Sequence, residues 1–215
     1  MESKPEYKVQ KEVQIYVILC ACFASLIIIG NLTYQKFVSL NLLFLNFELS
    51  SGALFYPFTF LIADLITEIF GKDKASFCVK LGLSLNIFAA LTIAFMDYLP
   101  ATSWSKLDNV LFHQVFGMYG AAFLASAFAC YFSQNIDIII YITIKKLTKD
   151  KYLWLRNNII TSIALLIDTT LVISVMALFG ALPNEQKWSL IFNSYRFKLM
   201  ITFLSTPLFM LWLSL

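Results

Sequence analysis

Charge is what this sequence has least of. Only 13% of its 215 residues are Asp, Glu, Lys or Arg, against about a quarter in a soluble domain. With 16 basic and 13 acidic side chains, the chain cannot cover a water-facing surface around a core of this size. A soluble enzyme, a nucleic-acid-binding module and a disordered tail protein are excluded on that ground. No CxxC, HExxH, GxGxxG or P-loop pattern occurs, so no cofactor or metal is expected and any ATP drive would have to come from a partner. The lone histidine, His113, reads as an interfacial residue. The four cysteines, Cys20, Cys22, Cys78 and Cys130, sit inside apolar runs and read as reduced packing residues.

Apolar residues fill the space that charge leaves. They make up 60% of the chain, aromatics 16%, and the mean hydropathy is +0.76. Lipid offers no hydrogen-bond partner, so each spanning segment must satisfy its own backbone, which here means helices. The expected class is an all-α integral membrane protein. A crossing needs about 20 mostly apolar residues. Six runs qualify, at about 13–35, 52–70, 76–98, 110–144, 157–181 and 188–215. Together they make one transmembrane domain over residues 1–215, with residues 1–12 as a cytoplasmic tail. The fourth run would be roughly 52 Å long as one helix. It must tilt, project or break, and Gly117 and Gly120 allow a bend. Residues 37–50 are apolar but too short to span; they suit a short outer hairpin, a re-entrant segment or a packed loop.

Basic residues orient the chain. Lys4, Lys8 and Lys11, then Lys72, Lys74 and Lys80, then Lys145, Lys146, Lys149, Lys151 and Arg156 fall on one side. Lys36, Lys106 and Lys187 fall on the other. This bias predicts a multi-pass protein of the cytoplasmic (inner) membrane with both termini cytoplasmic.

The residues that carry chemistry are the polar ones inside the runs. A charged side chain at mid-helix costs roughly 2.5–3.5 kcal/mol on insertion scales. Asp64 and Glu68 share one face of the second predicted helix at i,i+4, with Phe60 and Tyr56 nearby. Gln134 and Asp137 share a face of the fourth. Asp168 lies in the fifth, Arg196 and Lys198 in the sixth, and Asn31 in the first. Arg196, two residues from Lys198, points to a different face. Rise per residue puts Asp64 and Asp137 each roughly 12 Å from the basic end. A polar layer shared by four helices suits a substrate or ion pathway better than packing alone. A purely structural network, with Asp168 paired to Lys198, is the alternative. Carboxylates that accept, an amide that does both, an ammonium that donates and flat aromatic faces together fit a planar heterocycle with an N–H/NH₂ edge beside a carbonyl. In this reading Asp137 or Glu68 meets the donor edge, Gln134 lies near the carbonyl, and Lys198 holds Asp168.

At these residues the sequence resembles the queuosine precursor transporters, also described as the VUT or vitamin-uptake family. The likeness runs from about residue 31 to about 208. It is carried by Gly52, Phe55-Tyr56-Pro57, Asp64, Glu68 and Gly71, and by Ser133-Gln134 with Asp137. Leu153-Trp154-Leu155-Arg156 with Asp168, Tyr195, Lys198, Thr206-Pro207, Asn31 and Lys36 complete it. Leu165 stands where the family often has Gln. The resemblance implies import of 7-deazaguanine precursors of queuosine, such as 7-cyano-7-deazaguanine. The candidate substrate residues are then Asn31, Tyr56, Phe60, Asp64, Glu68, Gln134, Asp137, Asp168 and Lys198. The expected partners are the planar substrate and the lipid bilayer, with a homodimer left open and no nucleic acid. One alternative is a substrate-capture subunit of an energy-coupling-factor vitamin uptake system. Another is a membrane enzyme using Asp64 and Asp137 as an acid/base pair, but no nucleophile elbow or metal triad accompanies them.

Overall fold

The computed structural model describes residues 6–42, 45–117, 120–147, 153–178, 180 and 182–214. Long helices dominate it: α1 (Glu6–Thr33), α2 (Tyr56–Phe70), α3 (Lys72–Tyr98), the short α4 (Asn109–Phe116), α5 (Gly120–Leu147), α6 (Leu153–Leu178) and α7 (Lys187–Ser214). Among the described residues, four segments are long and apolar enough to cross a membrane: Gln10–Thr33, Ser51–Phe70, Lys72–Tyr98 and Asn158–Leu178. α5 and α7, at 28 residues each, match α1 in length.

The predicted fourth run breaks. α4 stops at Phe116, and α5 starts at Gly120. A Cβ on Gly117 would fall on the side-chain ends of His113 and Asp97, which would have to shift to admit it. His113 Nδ1 lies 2.7 Å from Asp97 Oδ2, which ties α4 to the end of α3. The Asp108 carboxylate accepts the Leu111 N–H at 2.7 Å and caps α4. At its other end, α5 finishes in Lys145 and Lys146, which suit a helix C-terminus.

Local sequence sets the remaining joints. Pro57 stands in the first turn of α2, where its missing N–H costs nothing. Gly71 has φ 83°, a left-handed conformation that lets α3 follow α2 after a single residue. α1 begins at Glu6, ahead of the apolar run. Hydropathy marks where lipid begins, while Lys and Glu are good helix formers that carry the helix beyond it.

Residues 37–50 form an antiparallel hairpin in which β1 (Phe37–Leu42) pairs with β2 (Leu45–Ser50). Phe47 and Leu49 alternate onto its buried face, and Phe47 meets Phe197 of α7 edge-on at 5.7 Å. The Arg196 guanidinium lies over the rings of Phe47 and Phe192, away from Lys198.

The largest apolar cluster joins α1, α2, α3 and α5 through Phe23, Ile27, Ala63, Ile66, Val79 and Ile138. Cys20, Cys78 and Cys130 belong to it, as expected for packing residues. Cys22 differs: it lies on the exposed face of α1.

A 3-10 turn over Ser51–Leu54 presses against the end of α1. A Cβ on Gly52 would collide with the Gly30 carbonyl oxygen, whereas one on Gly30 would meet Gly52 O at 3.3 Å. Gly52→Ala is therefore expected to cost about 1–3 kcal/mol by overpacking, and Gly30→Ala distinctly less. Unfolding of the two variants in detergent checks the order.

Candidate functional site

The crossing of α1 and the 3-10 turn walls a cavity at one end of the bundle. Its lining includes Asn31 and Tyr34 from the end of α1, Tyr56 from α2, Asp168 and Thr169 from α6, and Ser194 and Lys198 from α7. Counting the open solvent at its mouth, it encloses about 610 Å³ of empty space. A second opening of about 840 Å³, counting open solvent, lies beside the hairpin and shares Phe37, Leu182 and Leu190 with it.

Asp168 and Lys198 sit at the cavity floor. Lys198 Nζ donates to Asp168 Oδ2 and to Thr169 Oγ1, both at 3.0 Å. The Ser133 hydroxyl donates to Asp168 Oδ1 at 3.0 Å and the Tyr56 hydroxyl at 3.2 Å. The Lys198 ammonium also lies 4.5 Å from the Tyr56 ring centroid. Both charges are buried, with Asp168 at 0% and Lys198 at 5% exposure. A pair so placed is often no more stable than apolar residues of the same volume. Its presence on a cavity wall therefore points to binding.

Beneath the floor, Phe60, Ala164 and Leu165 form a fully buried apolar layer. Leu165 thus adds to an apolar layer between α2 and α6, while on the α5 side Gln134 Nε2 donates to Thr59 Oγ1 at 3.1 Å beside Phe60. The next level holds Asp64, which accepts from Thr161 at 2.9 Å. Asp137 is at this level too, with Asp64 as its close ionisable neighbour. A third level lies one turn further along α2 and α5. There Glu68 accepts from Tyr141 at 3.1 Å and pairs with Lys145 at 3.0 Å.

All nine candidate residues lie on the helices of one bundle, but the structure sorts them by depth. Asn31, Tyr56, Asp168 and Lys198 line the cavity. Phe60 is in the apolar layer, Gln134 is level with it through Thr59, Asp64 and Asp137 are below it, and Glu68 is at the far end. The reason is helical rise: Tyr56, Phe60, Asp64 and Glu68 follow one another by four residues, or about 6 Å per step, so one face of α2 visits each level in turn. Sequence reasoning passed over Thr169, Thr161 and Ser194. Their one signal was a small polar residue at helical spacing within an apolar run. His113 contacts Asp97 well away from these residues, and no group of three or more potential metal ligands occurs among the described residues.

No solved structure matches this chain. A curated relative from Bacillus subtilis (strain 168), named "Probable queuosine precursor transporter", is 28% identical over 160 residues, covering 73% of this chain and 68% of its own length. The family described as "Putative vitamin uptake transporter" matches residues 50–212, a stretch that begins at the end of the hairpin and takes in both the Asp168–Lys198 floor and the levels beneath it. This chain belongs to that vitamin uptake transporter family: a multi-pass membrane transporter whose buried polar levels lie in a bundle of apolar helices.

Proposed function

We propose that the chain imports a 7-deazaguanine precursor of queuosine, 7-cyano-7-deazaguanine or 7-aminomethyl-7-deazaguanine, and binds it in the cavity above Asp168 and Lys198. The carrying observation is the acceptor carboxylate beside an ammonium at the floor of a cavity walled by Tyr56. A guanine-like edge presents two donors next to a carbonyl. With Oδ1 taken by Ser133 and Tyr56 and Oδ2 by Lys198, Asp168 Oδ2 has one acceptor position left and accepts from the donor next to the carbonyl; Lys198 donates its remaining N–H to the carbonyl, and Tyr56 offers a flat apolar face. This assigns the donor edge to Asp168 rather than to Asp137 or Glu68, which do not line the cavity. The relative's name supports the same substrate class.

A thermal-shift panel of purified protein with deazaguanines, guanine, pteridines and vitamins tests the assignment. A ligand that binds only the folded state raises the melting temperature. The deazaguanines are expected to do so. A shift with a vitamin and none with any deazaguanine would sink the substrate. Uptake into liposomes that contain this chain alone distinguishes a self-sufficient transporter from a capture subunit.

The same proposal takes α1, α2, α3, α5, α6 and α7 as six crossings of the cytoplasmic membrane, with both termini cytoplasmic and the hairpin and cavity mouth outside. The uneven distribution of Lys and Arg supports this. Ser103, exposed between α3 and α4, is the probe position. Ser103→Cys in a background with the four native cysteines replaced is expected to react with an impermeant maleimide added outside. Labelling from the cytoplasm alone would reverse the topology.

A further inference from the structure

Asp137 does not line the cavity, yet it is a fully buried acid. Neither carboxyl oxygen accepts from an N–H or a hydroxyl; its hydrogen-bonding neighbour across the helix interface is the carboxyl of Asp64, itself held by the Thr161 hydroxyl. Two carboxyls can hydrogen-bond to one another only with a proton between them. An ionised Asp137 in that position would bear the full cost of desolvation. One turn before it, the buried Oε1 of Gln134 is without a partner.

The other charged and titratable groups near this level are engaged elsewhere. On α7, Lys198 binds Asp168 of α6. On α2, Glu68 binds Tyr141 and Lys145 of α5. On α1 and α3, Cys20 and Cys78 lie within the apolar core.

A proton on Asp137 turns its carboxyl from acceptor into donor. The new O–H is then directed at the acceptors around it, and the buried charge is removed. A route for that proton follows the same face of α5. Tyr141 is one turn beyond Asp137 at i,i+4, and its hydroxyl donates to Glu68 beside Lys145, at the basic end of the bundle. Toward the cavity, Gln134 donates to Thr59, whose hydroxyl donates to the Tyr56 carbonyl at 2.7 Å.

We propose that Asp137 is the proton-coupling site of the transporter: it takes up one proton from the cavity side, carries it as a neutral acid while substrate crosses, and releases it toward Glu68 and the basic end. The inference rests on the transport reading above. The step is balanced, with one O–H bond formed on Asp137 from an outside proton and the same bond broken on release inside.

The test uses purified full-length chain in liposomes, with the membrane potential clamped and 7-cyano-7-deazaguanine as probe. Counterflow exchange reads binding and translocation without a driving gradient. Accumulation under an inside-alkaline pH gradient reads coupling. Wild type is expected to show both. One proton per neutral substrate gives about tenfold accumulation per pH unit. Asp137→Asn, a fixed mimic of the neutral acid, is expected to keep counterflow and lose gradient-driven accumulation, and Asp137→Glu to retain both. Wild-type counterflow without accumulation would overturn this proposal alone, whether or not the variants fold. So would accumulation driven by sodium instead of protons, or full coupling in Asp137→Asn. Absence of wild-type counterflow would overturn the transport reading, and this proposal with it.

Discussion

Asp168→Asn is expected to weaken deazaguanine binding roughly 10- to 150-fold. The substitution keeps size but replaces one acceptor oxygen with an NH₂ donor and removes the charge. On the proposed pose one ring donor meets Asp168, and a hydrogen bond to a charged group is worth about 1.5–3 kcal/mol. Asn still offers Oδ1 to the hydroxyls of Ser133 and Tyr56, but the buried Lys198 ammonium loses its counter-charge, so the variant also loses stability and Kd is compared only on protein shown to be folded. Titration calorimetry of the folded protein is the measurement. Glu68→Gln serves as the control, since Glu68 bonds Tyr141 and Lys145 rather than lining the cavity. It should leave Kd within a few-fold. The reverse pattern, with Glu68→Gln or Asp137→Asn losing affinity and Asp168→Asn keeping it, would move the ring below the Phe60 layer.

The second large effect is on stability. Lys198→Met removes the ammonium and leaves Asp168 buried at 0% exposure with only the neutral donors Ser133 and Tyr56. Removing one partner of a buried pair costs about 3–5 kcal/mol, mostly from the charge left behind. The double variant Asp168→Asn with Lys198→Met removes both charges and should be markedly more stable than Lys198→Met alone. Denaturant unfolding in detergent for the two singles and the double gives the coupling energy directly. A double variant no better than Lys198→Met would mean that the pair contributes nothing through its charges.

These two results concern the same pair, and they show where sequence and structure divide. Insertion cost singled out Asp168 and Lys198 as interior residues, and donor chemistry paired them; the 3.0 Å contact agrees with that pairing. The break in the 110–144 run was one of the outcomes that length demanded, and it falls between Phe116 and Gly120. What could not be read off the chain was depth relative to a cavity. Asp64, Gln134, Asp137, Asp168 and Lys198 all fall near mid-helix by counting, and counting merges them into one chamber. The packed bundle separates them, because Phe60, Ala164 and Leu165 come from two helices whose mutual height no local pattern encodes. That layer exists only once α2 and α6 are set side by side.

The sequence by itself determined the class of the molecule, its apolar segments, and which residues are too costly in lipid to be incidental. These follow from composition and from transfer free energies, which are properties of single residues and short windows. Only the tertiary structure decided which polar residues share a space. It gathered Asn31, Tyr56, Asp168 and Lys198 around one cavity, and it closed Gly30 against Gly52 to form the wall. It also set the buried carboxyls of Asp137 and Asp64 against one another below the Phe60 layer. Those outcomes depend on the relative heights and rotations of separate helices, and these are set by packing between residues far apart in the chain.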